Sequence, residues 1–401
     1  MLKNKVVLIG VSGGIAAYKT AYLVSRLRKE GAEVHVIMTE NACRFIAPLT
    51  METLSGNECV TSTFERKGRF DVEHVELAKK ADVIMVAPAT ANIIAKFAHG
   101  LADDMLTTTF LAANCPKLIV PAMNTRMYEN PITQQNLQIL RNFGMTVVEP
   151  AVGYLACGDT GAGKMPEPEE LYEWIVHEIA RPKDMTGLKV LVSAGATRES
   201  MDPVRFLTNH SSGKMGFAVA RECAMRGADV TLVKASVTVD PPRFCKIVDA
   251  INAADMFEAV KEHAKSADIV VMAAAISDYT PVEYHDQKIK KKDGDLSIPL
   301  KRTTDILAYL GANKKEGQFL CGFSMETENM IENSRAKLAR KNVDMIVANN
   351  LKNEGAGFGT DTNLVTFITK DQIKEQELMG KQDVARVIMD TILERRTKHE
   401  C

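Results

Sequence analysis

Val6-Val-Leu-Ile-Gly-Val-Ser-Gly-Gly-Ile15 is a short apolar run that ends in a serine and two glycines, and an amphipathic segment follows it as far as Leu27. A buried strand that turns directly into a helix has this pattern. Apolar and amphipathic runs go on alternating along the chain, at residues 34–38, 42–54, 83–86 and 91–98. This alternation predicts βαβ units in a mainly parallel sheet with helices on both faces.

The same pattern starts again in the second half of the chain. Arg181-Pro-Lys-Asp-Met-Thr-Gly187 is polar and breaks a helix, and a new apolar run at 188–192 ends in Ser193-Ala-Gly-Ala-Thr197. At roughly 100 to 200 residues per domain, a chain of 401 residues suits two or three domains. We therefore predict an α/β fold with two doubly wound, Rossmann-like domains over residues 1–187 and 188–401. In such sheets ligands bind at the carboxyl ends of the strands.

Composition excludes several classes of protein. Apolar residues make up 46% and charged residues 25% of the chain, which fits a globular protein and neither a disordered nor a fibrous one. The 50 basic and 51 acidic residues give a net charge of -1, so nothing attracts the whole chain to nucleic acid or to a membrane. No apolar run approaches the ~20 residues of a membrane span, and the first is too short for a signal sequence. The 8 cysteines form no Cys-x-x-Cys pair, so we expect no zinc cage and no disulfide framework, and a cytoplasmic location.

The first strand leads to a candidate phosphate site. Ser12, Gly13 and Gly14 precede a helix, whose free N–H groups and dipole attract anions. The spacing is not that of a dinucleotide site, and Thr39 ends the second strand where such a site has an acidic residue, so a mononucleotide is favoured. An equally good interpretation is that the glycines only let the strand and helix pack closely.

Three later segments of the first half carry candidate site residues. Val86-Ala-Pro-Ala-Thr-Ala-Asn92 has small side chains that would let a flat ring approach the backbone, and Pro121-Ala-Met-Asn124 places an asparagine before a helix. Asn124 could cap that helix or bind a substrate carboxylate. Residues 153–164 carry four glycines around Cys157, too many for a helix or strand, and predict a mobile lid.

Taken together, these motifs resemble the flavin-dependent cysteine decarboxylases, specifically the phosphopantothenoylcysteine decarboxylase half of the bacterial bifunctional coenzyme A biosynthesis enzymes. The motifs that carry the resemblance are Ser12-Gly-Gly-Ile-Ala-Ala-Tyr-Lys19, His74-Val-Glu-Leu77, Ala87-Pro-Ala-Thr90, Pro121-Ala-Met-Asn124 with Met127, and Ala156-Cys-Gly-Asp159. Two positions depart from the family pattern: Tyr128 stands where the family often has Trp, and Lys164 where Arg is common.

The resemblance implies a flavoprotein fold and an FMN-dependent decarboxylation. Oxidation of the substrate's cysteine thiol to a thioaldehyde creates the electron sink that loss of carbon dioxide requires, and the resulting enethiolate takes back a hydride and a proton. By the same resemblance His74 binds or deprotonates the substrate, Asn124 holds its carboxylate and Cys157 donates the proton. The implied FMN contacts are Ser12, Gly13, Gly14, Thr39, Ala87, Pro88, Ala89, Thr90 and Met123.

In the second half, Thr208-Asn-His-Ser-Ser-Gly-Lys-Met-Gly216 precedes a helix predicted at 217–225. Ser211, Ser212 and the helix N–H groups could bind phosphate or simply cap the helix, and the sequence is not a P-loop. Asp278 follows a strand at 269–272 and could contact a nucleotide or its Mg²⁺.

Lysines supply the candidate phosphate contacts of this half. Residues 286–295 hold four Lys and three Asp, which predicts a hairpin or lid that presents one lysine to a triphosphate, although a solvated loop is the usual meaning of such a run. Lys337 and Lys341 are four residues apart and so share one helical face. With Lys288 they could offset much of the roughly −4 charge of a nucleoside triphosphate.

Residues 188–401 resemble the phosphopantothenate–cysteine ligases of the same bifunctional enzymes, whose bacterial form uses CTP. The motifs are Ser193-Ala-Gly-Ala-Thr-Arg-Glu199, Asn209-His-Ser-Ser-Gly-Lys-Met-Gly216, Ala273-Ala-Ala with Asp278, Lys288-Ile-Lys-Lys291, Gly322-Phe-Ser-Met-Glu326 and Asp344-Met-Ile-Val-Ala-Asn-Asn350. The resemblance implies that a substrate carboxylate attacks the α-phosphorus of CTP, and that the amine of cysteine then displaces CMP from the acyl-cytidylate. Asn209 would stabilise that intermediate, and Lys288 would act on the phosphates and in the second step. The implied CTP contacts are Ser211, Ser212, Ala273, Ala274, Ala275, Asp278, Lys288, Thr304, Asp305, Ile306, Leu307, Phe323, Lys337 and Lys341.

We therefore predict a bifunctional enzyme, a lyase and a ligase, that joins cysteine to 4'-phosphopantothenate with CTP and then decarboxylates the product to 4'-phosphopantetheine with FMN. The sequence leaves CTP against ATP open. A flavin-linked prenyltransferase or peptidyl-cysteine decarboxylase would share the N-terminal fold but leaves residues 188–401 without a role. A non-catalytic nucleotide sensor or regulatory flavoprotein subunit is the alternative from another class. The resemblance also implies homo-oligomers, with flavin-domain trimers that bind the cofactor at the subunit boundary, ligase-domain dimers and, as an open alternative, a dodecamer.

Overall fold

The computed structural model describes residues 1–64, 72–290, 297–326, 328–350 and 360–399. The chain forms two compact units, Met1–Pro182 and Lys183–Cys401. The division lies a few residues before the boundary we predict at 187 and 188. In the described ranges no helix combines the length and the apolar character needed to span a bilayer.

The first unit alternates strands and helices. Its elements in chain order are β1 (Val6–Val11), α1 (Ala17–Lys29), β2 (Glu33–Met38), a short 3₁₀ helix (Ala42–Arg44), α2 (Pro48–Ser55), β3 (Cys59–Val60), α3 (Glu73–Lys80), β4 (Val83–Ala89), α4 (Ala91–Ala98), α5 (Met105–Ala112), β5 (Lys117–Pro121), α6 (Thr125–Tyr128), α7 (Pro131–Asn142), β6 (Thr146–Val147), β7 (Ala151–Tyr154), β8 (Thr160–Lys164) and α8 (Pro168–Ile179). The single helix predicted at 42–54 is wrong, because Pro48 starts a new helix after the 3₁₀ turn.

The strands of this unit form a parallel sheet in the order β3-β2-β1-β4-β5-β6. This is the order of a doubly wound fold, and the direction of winding reverses between β1 and β4. Leu8, Ile84 and Ile119 pack in a core with α3, α4, α5 and α7, while their sequence neighbours Val7 and Met85 are fully buried on the other face. Burial on both faces explains why these strands are continuous apolar runs.

The second unit repeats the plan with additional strands. Its elements are β9 (Lys189–Ala194), β10 (Arg198–Ser200), β11 (Phe206–Thr208), α9 (Lys214–Met225), β12 (Asp229–Lys234), β13 (Lys246–Asp249), α10 (Ala253–Ala264), β14 (Ile269–Met272), β15 (Tyr279–Pro281), β16 (Leu300–Arg302), α11 (Ile306–Ala312), β17 (Phe319–Glu326), α12 (Met330–Arg340), β18 (Met345–Asn350), β19 (Thr362–Asn363), β20 (Val365–Thr369), β21 (Ile373–Glu375), β22 (Met379–Gly380) and α13 (Lys381–His399).

Its sheet has the order β13-β12-β9-β14-β17-β18-β20-β21. The strands from β13 to β18 are parallel and again reverse direction of winding between the first strand, β9, and the fourth, β14. Antiparallel β20 and β21 extend the far edge. One face packs against α9 and α13, and the other against α10, α11 and α12. The predicted pair of doubly wound domains is confirmed.

The inference that residues 153–164 hold too many glycines for a strand is also wrong. These residues form an antiparallel hairpin of β7 and β8. Two of its glycines, Gly161 and Gly163, let the hairpin lie close against residues 123–125 after β5. A Cβ on Gly163, which has φ +126, would stand 2.3 Å from the carbonyl oxygen of Met123, and one on Gly161 would stand 2.6 Å from Thr125 Oγ1.

Candidate active sites

In the first unit the loops after β1 and β4 bind each other at the point where the winding reverses. Ser12 is buried, and its backbone N–H and its hydroxyl donate to the carbonyl of Pro88 at 3.2 Å and 2.8 Å. The same hydroxyl accepts from the N–H of Thr90 at 3.0 Å. Thr20 Oγ1 donates to the carbonyl of Ala87, and the Ala87–Pro88 peptide bond is cis. The predicted flavin contacts Ser12 and Ala87 to Thr90 therefore lie together at one edge of the sheet.

The two glycines after Ser12 have different roles. A Cβ on Gly13 would stand 2.5 Å from Asn41 Cβ, so Gly13 permits close packing against the segment after β2. A Cβ on Gly14 would meet only Thr90 Cγ2 at 3.8 Å and Pro88 Cγ at 3.9 Å, so Gly14 borders open space between the two loops. Among the described residues no hydrogen bond uses the N–H of Gly13 or Gly14. These donors at the start of a 13-residue helix fit the phosphate of a mononucleotide.

Thr39 and Met123 flank this edge. The N–H of Thr39 donates to the carbonyl of Val11, and its Oγ1 accepts from the N–H of Ala42 at 3.2 Å, which starts the 3₁₀ turn. Met123 is half-buried, and its N–H donates to the carbonyl of Gly163 at 3.0 Å. The hairpin is thus bonded through its main chain to the loop after β5.

Asn124 lies beside Cys157. The Asn124 Oδ1 accepts from the N–H of Arg126 at 2.9 Å and so caps the short α6, as expected for an N-cap residue. Its Nδ2 donates to Cys157 Sγ at 3.2 Å and to Asp159 Oδ2 at 2.8 Å. The thiol also donates to Asp159 Oδ2 at 3.5 Å. Asp159 belongs to the motif that carries Cys157, yet sequence reasoning gave it no role.

His74 does not join this cluster. It is half-buried at the start of α3, whereas Asn124 follows β5. In the described part of the chain no hydrogen bond or ion pair connects His74 to Asn124 or Cys157.

Tyr128, one of the two departures from the family pattern, belongs to the core. Its ring is buried with the helices on one face of the sheet, and its hydroxyl donates to Glu149 Oε2 at 2.7 Å. Burial, together with Glu149, raises the pKa of Tyr128 to about 12. Arg141 completes the group with an ion pair to Glu149 at 2.5 Å.

The second unit joins the loops after its first and fourth strands in a similar way. Ser193 Oγ accepts from the N–H of Ala274 at 3.2 Å, and the N–H of Ala275 donates to the carbonyl of Gly195 at 2.8 Å. Asn209 Nδ2 donates to the carbonyl of Ala275 at 3.2 Å. The predicted residues Asn209 and Ala273 to Ala275 are thereby brought together. Asp278 follows them, is exposed, and accepts through its carbonyl from the N–H of Thr303.

The serines before α9 do not cap it. The helix begins at Lys214, earlier than predicted, and its N-cap is Gly213 with φ +83. Ser211 Oγ accepts from the N–H of Gly213 at 3.4 Å, and Ser212 is buried with its carbonyl bonded to Thr238. A Cβ on Gly213 would stand 2.5 Å from Val237 Cγ1, so this turn is closely packed.

Lys337 and Lys341 do share one face, and both contact other predicted nucleotide residues. Lys337 Nζ donates to the carbonyl of Phe323 at 2.9 Å, and Lys341 forms an ion pair with Asp305 at 2.9 Å. Burial and the neighbouring Lys341 lower the pKa of Lys337. Burial acts to raise the pKa of Asp305, but the hydrogen bonds from Lys341 and from the N–H of Ala308 lower it overall.

The remaining predicted residues differ in exposure. Thr304 and Lys288 are exposed. Ile306 and Leu307 begin α11 and bury their side chains in the core, so a nucleotide could contact those two only through their backbone. Lys288 lies on the arm between β15 and β16, and residues 291–295 of the predicted hairpin or lid lie outside the described residues. In the described ranges no group of three His, Cys, Asp or Glu side chains forms a metal site.

Sequence reasoning missed the anchor of this arm. Asp202 is buried and accepts from Arg205 Nη2 at 2.6 Å and from the N–H of Ile289 at 3.1 Å, while Arg205 Nη2 donates to the carbonyl of Ile289 at 2.9 Å. The Arg205 guanidinium holds the pKa of Asp202 well below its usual range. The pair thus fixes the residue next to Lys288. Asp202 and Arg205 lie three residues apart in the sequence, but nothing near them indicated a contact with Ile289, 84 residues after Arg205.

Comparison with known proteins decides the family. A family model described as Flavoprotein matches residues 1–180, and one described as DNA/pantothenate metabolism flavoprotein C-terminal domain matches residues 185–395. The Bacillus subtilis (strain 168) coenzyme A biosynthesis bifunctional protein CoaBC is 48% identical over 396 residues, which cover 98% of this chain and 97% of the relative. The chain belongs to the CoaBC family.

Further CoaBC proteins match along the whole chain. The Haemophilus influenzae protein is 42% identical over 397 residues, or 99% of each chain. A crystal structure of the C-terminal domain of a CoaBC protein is 40% identical and covers 52% of this chain and 96% of that one, with a TM-score of 0.45. As a CoaBC protein this chain is a bifunctional enzyme of coenzyme A biosynthesis, with a flavoprotein decarboxylase domain and a ligase domain. The predicted family and pair of activities are confirmed.

Proposed function

We propose that the ligase unit, residues 188–401, joins cysteine to 4'-phosphopantothenate with CTP, and that the flavoprotein unit, residues 1–187, decarboxylates the 4'-phosphopantothenoylcysteine to 4'-phosphopantetheine with FMN. The observation that carries this assignment is that the β7–β8 hairpin brings Cys157 Sγ within 3.2 Å of the Asn124 amide, at the carboxyl edge of the flavoprotein sheet. A proton donor and a carboxylate-binding amide are the two groups that a decarboxylation followed by reprotonation needs.

In the flavoprotein unit the N–H groups of Gly13 and Gly14 would hold the FMN phosphate, and residues Ala87 to Thr90, at the end of β4, would contact its ring. The bound flavin supplies a two-electron oxidation of the substrate thiol and the matching reduction. Asn124 holds the substrate carboxylate until carbon dioxide leaves. Cys157 then gives its proton to the product carbon. Ser12 keeps the two loops at a fixed separation through its bonds to Pro88 and Thr90.

The position of His74 supports a site shared between copies of the chain. Among the described residues no hydrogen bond joins His74 to Asn124 or Cys157, and a histidine from a second copy of the chain would complete the site. We infer that the flavoprotein units form trimers with the flavin at the subunit boundary and that the ligase units form dimers.

In the ligase unit Lys337, Lys341 and Lys288 bind the CTP phosphates, because the substrate carboxylate must be activated by a nucleotide before an amide can form. Asn209 stabilises the acyl-cytidylate beside Ala275, to which it is already bonded. Magnesium would reach the site with the nucleotide, held by phosphate oxygens and Asp278, since Mg²⁺ commonly binds through one or two carboxylates and substrate phosphates. The seven described cysteines form no disulfide, which suits a reducing cytoplasm.

Two single variants test this assignment. Cys157→Ser should abolish formation of 4'-phosphopantetheine, because the proton donated after carbon dioxide leaves is then missing, and it should leave pyrophosphate release with 4'-phosphopantothenate and cysteine unchanged. Asn209→Ala should abolish that pyrophosphate release and leave the decarboxylation of 4'-phosphopantothenoylcysteine unchanged. Cys115→Ser and Asn313→Ala are matched controls, because Cys115 lies just before β5 at the opposite end of the strand and Asn313 only caps the end of α11. If Cys157→Ser and Asn209→Ala both keep wild-type rates, the chain acts as a nucleotide sensor or regulatory subunit instead. Mass spectrometry of the cofactor released from the purified protein tests FMN directly.

A further inference from the structure

The hydrogen-bonding capacity of Asn124 is almost fully used within the chain. A side-chain amide has two N–H donors and one carbonyl oxygen. The oxygen accepts from the N–H of Arg126, and the nitrogen donates to Cys157 Sγ at 3.2 Å and to Asp159 Oδ2 at 2.8 Å. A substrate carboxylate that binds this amide must therefore accept a hydrogen bond from a nitrogen that already donates to the carboxylate of Asp159.

The surrounding turn fixes Asp159 in this position. The carbonyl of Asp159 accepts from the N–H of Leu155 at 2.8 Å, and Gly158, with φ +89, closes the turn by donating to the carbonyl of Leu155. Since the main chain of Gly163 in the hairpin is also hydrogen-bonded to Met123, main-chain bonds fix the distance between Asp159 and Asn124. Asp159 also determines which way the amide faces, because the opposite orientation would place Oδ1 against a carboxylate.

We propose that Asp159 is a positioning residue of the decarboxylase, whose carboxylate occupies the Asn124 amide until the substrate carboxylate replaces it. This proposal rests on the function proposed above, in which Asn124 binds that carboxylate. Two carboxylates about 5 Å apart repel each other, so they do not share one amide nitrogen. One oxygen, Oδ2, accepts from both Asn124 and Cys157, so the exchange also releases the thiol. Binding of the substrate carboxylate thereby releases the proton donor before carbon dioxide leaves.

The test is a comparison of binding affinities on the FMN-loaded full-length protein. The ligands are the hydroxyl analogue of the substrate, 4'-phosphopantothenoylserine, which has no thiol to oxidise, and the same compound without its carboxyl group. Asp159→Asn keeps the size of the side chain and removes its charge. We expect it to tighten binding of the acid about tenfold relative to the decarboxylated compound. Asp159→Ala should change the ratio in the same direction. Asp103→Asn should leave it unchanged, because Asp103 is exposed between α4 and α5 and pairs with Lys96.

The outcomes separate this inference from the function on which it rests. Asn124→Ala should remove the preference for the acid, and if it does not, the role of Asn124 in the proposed function fails. If Asn124→Ala removes the preference while both Asp159 variants bind the two compounds in the wild-type ratio, only the role of Asp159 is overturned. A crystal structure of the wild-type protein with the acid needs no variant: Asp159 Oδ2 should lie beyond 3.5 Å from Asn124 Nδ2, and an intact bond beside the bound acid would refute the exchange.

Discussion

Replacing Gly163 by alanine should disable the decarboxylase through a shift of about 1 Å in the loop that carries Asn124. The residue has φ +126, and an added Cβ would stand 2.3 Å from the carbonyl oxygen of Met123. Ordinary contact requires about 1 Å more, so the hairpin or the loop must move, and the backbone strain adds ~1–3 kcal/mol. A displacement of about 1 Å in a catalytic site can lower the rate roughly 100-fold.

The assay is the release of carbon dioxide from 4'-phosphopantothenoylcysteine, measured together with pyrophosphate release by the ligase. We expect Gly163→Ala to lower the decarboxylase kcat/KM about 100-fold and to leave the ligase rate unchanged. Gly144→Ala is the matched control, since Gly144 has φ +80 but no atom within 4 Å of an added Cβ. It carries the backbone strain without the collision. A Gly163→Ala protein with a decarboxylase rate within threefold of the control would refute the argument from the position of the hairpin.

Three further perturbations have expected outcomes. Ser12→Ala removes the acceptor of the half-buried N–H of Thr90, which costs about 1 kcal/mol, so the variant should lose flavin on dialysis when the wild type retains it, as absorbance would show. The pKa of Lys337 is lowered in the free protein, and binding of the anionic CTP should raise it again, so that protons are taken up at alkaline pH. Calorimetry in two buffers of different ionisation enthalpy should show this proton uptake, and Lys337→Met should lose it. Tyr128→Phe should lower the free energy of unfolding by about 1 kcal/mol at pH 7 in a urea titration. Since unfolded tyrosine ionises near pH 10 and Tyr128 only near 12, the stability that its hydroxyl contributes should be intact below pH 10 and disappear as the pH rises to 12.

The sequence allowed prediction of the two sheets and of the edge at which the site residues gather. A continuous apolar run such as 83–86 indicates a strand that is buried on both faces, and this can be read from the residues of the strand alone. Sequence order places Ser12 and Thr90 after neighbouring strands of a doubly wound sheet, which is why both fall at the reversal of winding. These inferences succeed because they depend on periodicity and topology alone.

The contacts of individual side chains could not be predicted in this way. The glycines of the hairpin indicated a loop. Two of them, Gly161 and Gly163, are instead required because Thr125 and Met123, more than 30 residues earlier in the chain, leave no room for a Cβ. Likewise, nothing near Asp159 indicates that it meets Asn124. Such contacts depend on how closely two segments approach each other in the folded chain. The composition of each segment shows only that it contains small residues.

The two units use one construction to serve two chemistries. In each, a serine of the first strand region accepts from the N–H of the loop after the fourth strand: Ser12 from Thr90, and Ser193 from Ala274. These bonds hold the two loops together and so set the width of the crevice between them. On the function proposed above, the choice of reaction comes from a third segment, which is the hairpin with Cys157 in the flavoprotein unit and the arm with Lys288 in the ligase unit. The two segments are anchored differently. The hairpin is held by the main-chain bond between Gly163 and Met123, whereas the arm is held by the buried side chain of Asp202, which binds Ile289. The doubly wound sheet itself requires neither anchor.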